Sequence, residues 1–345
     1  MFKHLNFNLS GEAKKRLLTS FCIIVGLTIA FALRMISEWI FDVFIFVMVV
    51  AAVIDVMGAK KLSAHGVKNY YVFAYLLISY SMFIFVMAMD FAHAFWLHVI
   101  IQVVAIAVFA LYTFLMNYTD KEVAKAARLK KTTLGSMCRR SVWEFIKIAV
   151  YPAIILLTLV PLNHMGSWAT VALSEGAIPV EVTVLGLFSL LLVFVISCFT
   201  DTCAYLVGMS ASALAKQRGK EPRKLCPKIS PKKTWAGFIG GLFGGVLGTL
   251  LLLLIFSTNG TLAAFLTDRM GNAKVVQLAF IGIGIAGSII NQAGDIYASW
   301  LKRKVGIKDF GRYLPGHGGA MDRLDGISWN AAFIFITMML VTFVC

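Results

Sequence analysis

The sequence predicts an all-α polytopic integral membrane protein with about nine transmembrane helices. Three observations carry that prediction. The 345-residue chain is 59% hydrophobic and 14% charged, whereas soluble domains are roughly 45–50% apolar and about 25% charged. Apolar stretches of about 20 residues recur, the length that crosses a hydrocarbon core of about 30 Å. Lys and Arg gather on alternate connections between those stretches, the pattern the positive-inside rule describes.

The spans are expected at 17–36, 39–57, 70–89, 94–116, 145–162, 182–200, 236–257, 274–293 and 327–344. The first follows Lys14, Lys15 and Arg16 and is not followed by a small-residue cleavage site, so it reads as a span and not as a cleaved signal. Residues 37–38 alone separate it from the second, so the two form a tight hairpin. Arg34, Glu38 and Asp42 lie near that turn, where pairing or snorkelling accounts for them. Residues 117–142 are basic with scattered apolar positions and predict a helix lying on the membrane face, either an anchor to anionic lipid or a solvated connector. The seventh span carries two ladders of small residues, Gly237, Gly241, Gly245 and Gly240, Gly244, Gly248, which predict close helix packing.

Orientation follows from the connections. Those at 163–181 and 258–274 hold almost no Lys or Arg, while the amino terminus and the connections on the other side hold nearly all of them. The amino terminus and the large basic loops are therefore expected in the cytoplasm and the carboxyl terminus outside. The net charge of +15 belongs to these short loops and not to a separate soluble domain, which argues against nucleic acid as a partner. The six cysteines form no CxxC pair or His/Cys cluster, so neither a disulfide framework nor a zinc site is expected. Residues 1–180 read as about five amino-terminal spans and residues 181–345 as a catalytic membrane domain of about four.

Polar residues concentrate in three cytoplasmic stretches: FTDTCAY from Phe199, PKISPKKTWAG from Pro227, and the long run from Asn291 to Gly326. In a helical 294–304 segment Asp295 and Ser299 share a face, with Lys302 and Arg303 continuing near it. If the last span begins near Gly319, Asp322 and Asp325 lie in its first turns, where the helix dipole favours carboxylates. Capping needs only one aspartate and leaves Lys302, Arg303, Lys308, Arg312, His317 and Arg323 unexplained. Asp295, Asp322 and Asp325 among many cations make an inventory for Mg²⁺ and phosphate, since Mg²⁺ takes hard oxygen ligands and leaves positions for phosphate oxygens, which Lys and Arg neutralise. A basic loop with local ion pairs is the plainer alternative. Ser230, Lys232, Lys233 and Thr234 stand before the seventh span, where hydroxyls, ammonium groups and a helix amino terminus can meet an anion, although no Walker pattern is present. Asp201, between Thr200 and Thr202, is as a lone residue an interface charge.

These residues carry a resemblance. SWLKR from Ser299, Lys308 with Asp309, and LPGHGGAMDRLD from Leu314 to Asp325 together resemble the signature of the phosphatidate cytidylyltransferases, or CDP-diacylglycerol synthases. DTCAY from Asp201 and KLCPKISPKKTW from Lys224 are similar to two further stretches of that family, in the same order. The resemblance covers about 182–345. The sequence departs from the family at Ala236, where family members commonly carry Glu, at Ala298, where they often do, at Met209, where a basic residue is usual, and at Ala320, where a larger apolar residue is usual.

The resemblance implies a bacterial inner-membrane enzyme facing the cytoplasm that joins CTP to phosphatidate, releasing pyrophosphate. It implies metal ligation by Asp295, Asp322 and Asp325, with Mg²⁺ and also K⁺ as cofactors. Lys302 and Arg303 join the aspartates as catalytic candidates. Asp201, Ser230, Lys232, Lys233, Thr234, Ser299, Lys308, His317 and Arg323 are the substrate-binding candidates. A homodimer is a further expectation. Two alternatives stay open: a related membrane nucleotidyltransferase or lipid kinase with another lipid acceptor, or a carrier for an anionic solute. Against the carrier, the charges cluster at one face and not at mid-membrane.

Overall fold

The computed structural model describes residues 11–60, 67–88, 94–129, 131–167, 184–311, 314–316 and 318–343. His317 and Arg312 lie outside the described residues. The helices in chain order are α1 (Gly11–Arg34), α2 (Glu38–Ala59), α3 (Asn69–Ala88), α4 (Ala94–Thr119), α5 (Lys121–Leu129), a kinked α6 (Leu134–Asn163), α7 (Val184–Gln217), α8 (Trp235–Phe256), α9 (Gly260–Met270), α10 (Ala273–Lys304) and α11 (Met321–Phe343). Seven of them, α2, the Val99–Thr119 part of α4, α6, α7, α8, α10 and α11, are long and apolar enough to cross a membrane. Leu18–Arg34 and Asn69–Ile84 are shorter apolar helices. The protein is a helical, polytopic membrane protein.

Several elements differ from the expectation. The expected sixth span stops at 200, but α7 runs on to Gln217, which sets Asp201 within a helix instead of at its exit. Beyond the expected span limits, α10 continues to Lys304 and α11 starts at Met321, as a helical 294–304 segment and a start near Gly319 require. Hydropathy marks where a helix leaves the apolar layer; backbone hydrogen bonding continues until a breaker or cap ends it. The 117–142 segment is not one surface helix: α4 ends at Thr119, α5 is separate, and α6 starts at Leu134 behind Thr133, whose hydroxyl accepts from the Ser136 amide. Pro152 interrupts α6, because proline donates no amide hydrogen. Among the described residues the all-α pattern is broken by an antiparallel ribbon, β1 (Lys224–Cys226) with β2 (Ser230–Thr234). It is built from the PKISPKKT stretch and feeds directly into α8.

Packing between α7, α8 and α10 follows the glycine ladders. A Cβ added at Gly244 would stand 2.3 Å from the Phe199 carbonyl oxygen of α7. At Gly245 it would stand 1.8 Å from Ser288 Oγ of α10. The Gly240, Gly244, Gly248 ladder therefore meets α7 throughout, while in the other Gly237 meets α7 and Gly241 and Gly245 meet α10, and only a missing side chain permits these approaches. Buried hydroxyls cross-link the same helices: Thr200 and Ser288 are 2.8 Å apart, and Asn330 of α11 donates to Ser197 Oγ at 2.9 Å.

At the α1–α2 turn the expected pairing is present and larger than expected. Arg34 bonds Glu38 at 3.0 Å and Asn163 Oδ1 at 2.6 Å, while the fully buried Asp42 contacts His164 Nε2 at 2.7 Å and accepts from Asn163 at 2.9 Å. Burial of Asp42 inside this network rules out snorkelling there.

Candidate functional site

Four elements converge at one end of the bundle: α7, the β1–β2 ribbon, α10 and α11. Between α7, the ribbon, the start of α8 and α10 lies a cleft of about 410 Å³. Asp201, Lys232, Lys233, Thr234 and Asp295 line it, and Tyr205, Met209, Leu225 and Phe238 form an apolar wall.

Local sequence explains each placement. Thr234 closes β2 in extended conformation and caps α8, its hydroxyl accepting from the Gly237 amide at 3.1 Å. That cap fixes the ribbon against the helix, so Lys232 and Lys233 reach over the cleft. Lys233 Nζ lies 2.7 Å from Asp295 Oδ2. On α10, Ser299 stands one turn after Asp295 and its hydroxyl is 3.5 Å from Asp295 Oδ1. One turn before it, Asn291 donates to Asp201 Oδ1 at 2.8 Å. Gln292 donates to the Phe238 carbonyl at 3.3 Å and tethers α10 to α8.

Asp325 joins from α11. It is close enough to Asp295 and Asp201 for the three negative charges to repel one another. Small residues make that approach possible: a Cβ at Gly294 would stand 2.9 Å from the Asp325 carbonyl oxygen, and one at Gly326 would stand 2.4 Å from Asn291 Oδ1. Arg323 is exposed and near enough to Asp201 to offset its charge.

Asp322 is placed elsewhere. Its Oδ1 accepts from Lys302 Nζ at 2.8 Å, and its Oδ2 accepts from the amides of Phe310 at 2.8 Å and Gly319 at 2.9 Å. Lys302 and Asp322 are both buried. Arg303 bridges to the carbonyls of Ile229 in the ribbon at 3.5 Å and Ile307 at 3.2 Å. Lys308 is exposed on the loop before α11, and Ser230 is half-buried at the start of β2. Among the described residues no three His, Cys, Asp or Glu side chains stand together closely enough to hold a metal ion. Mg²⁺ needs only one or two carboxylates when phosphate oxygens complete its shell. Asp295 and Asp325 offer carboxylates of that kind, with Asp201 within electrostatic range.

Asn291, Gln292 and Asp55 contribute without having been singled out in the sequence. The first two carry a readable signal, consecutive amides in the last turns of an apolar span. Asp55 is bonded to a partner 266 residues away, which no local pattern reveals. Ala298, where relatives of the resemblance often carry Glu, is fully buried.

Comparison with known proteins finds relatives over part of the chain. Over 151 residues the chain is 36% identical to a phosphatidate cytidylyltransferase of Brucella melitensis, an alignment covering 44% of this chain and 47% of that protein. A Staphylococcus aureus protein of the same name is 38% identical over 155 residues, covering 45% of this chain and 48% of its own length. The chain thus spans about half the length of the curated relatives it matches. The sequence pattern of the cytidylyltransferase family matches residues 14–341, nearly the whole of the chain, and the protein belongs to that family.

Proposed function

We propose that the protein is a phosphatidate cytidylyltransferase, converting CTP and phosphatidate into CDP-diacylglycerol and pyrophosphate at the cytoplasmic face of a bacterial inner membrane. The observation that carries this reading is the contact of Lys233 with Asp295 in a cleft that sets charged side chains beside an apolar wall of Tyr205, Met209, Leu225 and Phe238. A phosphate with an acyl tail needs that combination. The names of the bacterial relatives support the same substrates.

In this reading an oxygen of the lipid phosphate attacks the α-phosphorus of CTP. The new P–O bond forms as the α–β phosphoanhydride bond breaks, and pyrophosphate leaves with the bonding pair. The attacking phosphate is already ionised, so no general base is needed. The demands are alignment and charge neutralisation. Lys232 and Lys233 neutralise phosphate oxygens from the ribbon, and Arg323 does so from α11. Thr234 and Ser299 offer hydroxyl donors. Asn291 holds Asp201, and Ser299 and Lys233 orient Asp295.

Asp295 and Asp325, with Asp201 beside them, are the residues that would hold Mg²⁺. Asp322 would enter that shell only by releasing Lys302 or the two loop amides. When bound, Mg²⁺ supplies charge neutralisation for the phosphate oxygens. K⁺ is a second proposed cofactor, with no residue assigned to it.

The test is pyrophosphate release and CDP-lipid formation by the purified protein from CTP and phosphatidate, with and without Mg²⁺. A panel of polyprenyl phosphates and lipid alcohols runs alongside. CDP-lipid from phosphatidate is the expected result. Product from another acceptor alone assigns a different substrate, and no nucleotidyl transfer to any lipid overturns the reading.

A further inference from the structure

Asp55 lies near the end of α2, in the half of the chain that the motif resemblance does not reach. It is 1% exposed and lines no part of the cleft described above. Its Oδ2 accepts from the amide of Met321, the first residue of α11, at 3.0 Å. Gly311 and Gly319, of the connection between α10 and α11, lie against the same carboxylate. A Cβ on Gly311 would stand 2.1 Å from Asp55 Oδ1, and one on Gly319 would stand 2.2 Å from Oδ2. One oxygen holds the Met321 amide, Oδ1 has no hydrogen-bond partner among the described residues, and two glycines leave the room.

The same loop is gripped elsewhere. Asp322 collects the amides of Phe310 and Gly319, and Thr19 of α1 donates to the Pro315 carbonyl at 2.9 Å. Asp55 and Asp322 are near enough to repel. An uncharged cap would serve a helix start as well, and a buried carboxylate in a membrane-embedded helix is costly enough to need a reason. Here the reason is reach: one oxygen holds the first amide of α11, while Gly311 and Gly319 pack against the same carboxylate. One turn beyond Met321, α11 carries Asp325 to Asp295.

We propose that Asp55 is a positioning residue, through which α2 fixes the start of α11 and the placement of Gly311 and Gly319 before it, and so sets Asp325 beside Asp295. The consequence for turnover rests on the cytidylyltransferase reading; the consequence for the loop does not.

The test uses the full-length protein with Asp55→Ala and the isosteric Asp55→Asn. Ser79→Ala, which removes a buried hydrogen bond to Gln102 between α3 and α4, serves as a comparator for stability loss alone. Misplacement of a group next to the chemistry costs up to about a hundredfold in rate. Asp55→Ala is expected to lower kcat by about that factor, with KM for CTP changed less than about threefold. Amide hydrogen exchange across 305–321 rises in the same variant and not in Ser79→Ala. If Asp55→Ala does not fold, Asp55→Asn carries the test, with a kcat loss of at least about tenfold expected at an unchanged melting temperature. Retention of kcat within about twofold, or a rate loss that only follows the melting temperature as in Ser79→Ala, overturns the proposal. Should the wild type transfer no nucleotide to any lipid phosphate, the parent reading falls. The exchange measurement then decides alone: unchanged protection of 305–321 in the variants overturns the placement of Asp55, and lost protection upholds it.

Discussion

Lys302 and Asp322 form a buried ion pair, Nζ to Oδ1 at 2.8 Å, with the second carboxylate oxygen committed to two loop amides. Removing one member leaves the other charged and without its partner in a site that excludes water. That costs roughly 3–5 kcal/mol. Asp322→Ala and Lys302→Met are each expected to lower stability by an amount in that range. The double variant should recover part of the loss, because it buries no lone charge. Thermal unfolding of the two singles and the double in detergent measures the coupling. Strict additivity would show that the pair is not interacting.

Helix periodicity made much of the site legible. The spacing of Asp295 and Ser299 placed them on one stripe of α10, and that is where they lie. The same reasoning put Asp322 and Asp325 together on α11, yet their partners differ. A side chain in the first turn of a helix leans toward its amino terminus, so Asp322 turns into the preceding loop, while Asp325, one turn on, has α10 beside it. The ribbon was not legible, because SPKKT has no alternation of apolar and polar residues and is held by its register with Lys224–Cys226. Asp55 and the Asn163–His164 contacts with Asp42 were not legible either. Their meaning comes from partners more than a hundred residues distant.

Glycines of α8 and α10 separate packing from propensity. Gly244→Ala drives a methyl group into the Phe199 carbonyl, a backbone atom that cannot rotate away. A loss of about 1–3 kcal/mol is expected, the usual cost of overpacking. Gly282 of α10 has nothing within 4 Å of an added Cβ. Gly282→Ala should be neutral or stabilise by up to about 1 kcal/mol, since Ala is the better helix former. Melting temperatures of the two variants provide the comparison. Equal effects would mean that α8 does not approach α7 as described.

Lys68 and Asp120 form an ion pair beyond the apolar ends of α3 and α4. Hydrogen bonding to Lys68 holds the Asp120 carboxyl below its ordinary range, and the same bond raises the Lys68 ammonium. A depressed carboxyl contributes stability above its unfolded pKa of about 3.9 and loses it as pH falls through the folded value. A raised ammonium contributes below about 10.4 and loses it as pH rises through the folded value. The contribution is therefore constant from about pH 5 to 9. Lys68 is 40% exposed, so the whole effect is small, below about 1 kcal/mol. Asp120→Asn is expected to melt slightly below the wild type across that window and to converge with it in acid. A gap that widens as pH falls would contradict the pairing.

Asp295 is where the ribbon, α10 and the proposed Mg²⁺ meet. Its side chain is 35% exposed and Lys233 is 22% exposed, so the pair adds little to stability. Asp295→Asn is thus expected to leave the melting temperature nearly unchanged. Its effect on turnover should be far larger, a loss of at least about 10²–10³, because the missing charge acts where phosphate charge must be balanced. Lys233→Gln removes a cation that meets the phosphates and is expected to raise KM for CTP more than it lowers kcat. Chelation of divalent metal should abolish wild-type turnover, and added Mg²⁺ should restore it. In Asp295→Asn the Mg²⁺ concentration for half-maximal residual rate should move upward, because a carboxylate ligand has become a neutral amide. Titrations of Mg²⁺ against pyrophosphate release, run on wild type and variant, give both numbers. An Asp295→Asn protein with wild-type kcat and an unmoved Mg²⁺ midpoint would place the metal and the chemistry elsewhere in the molecule.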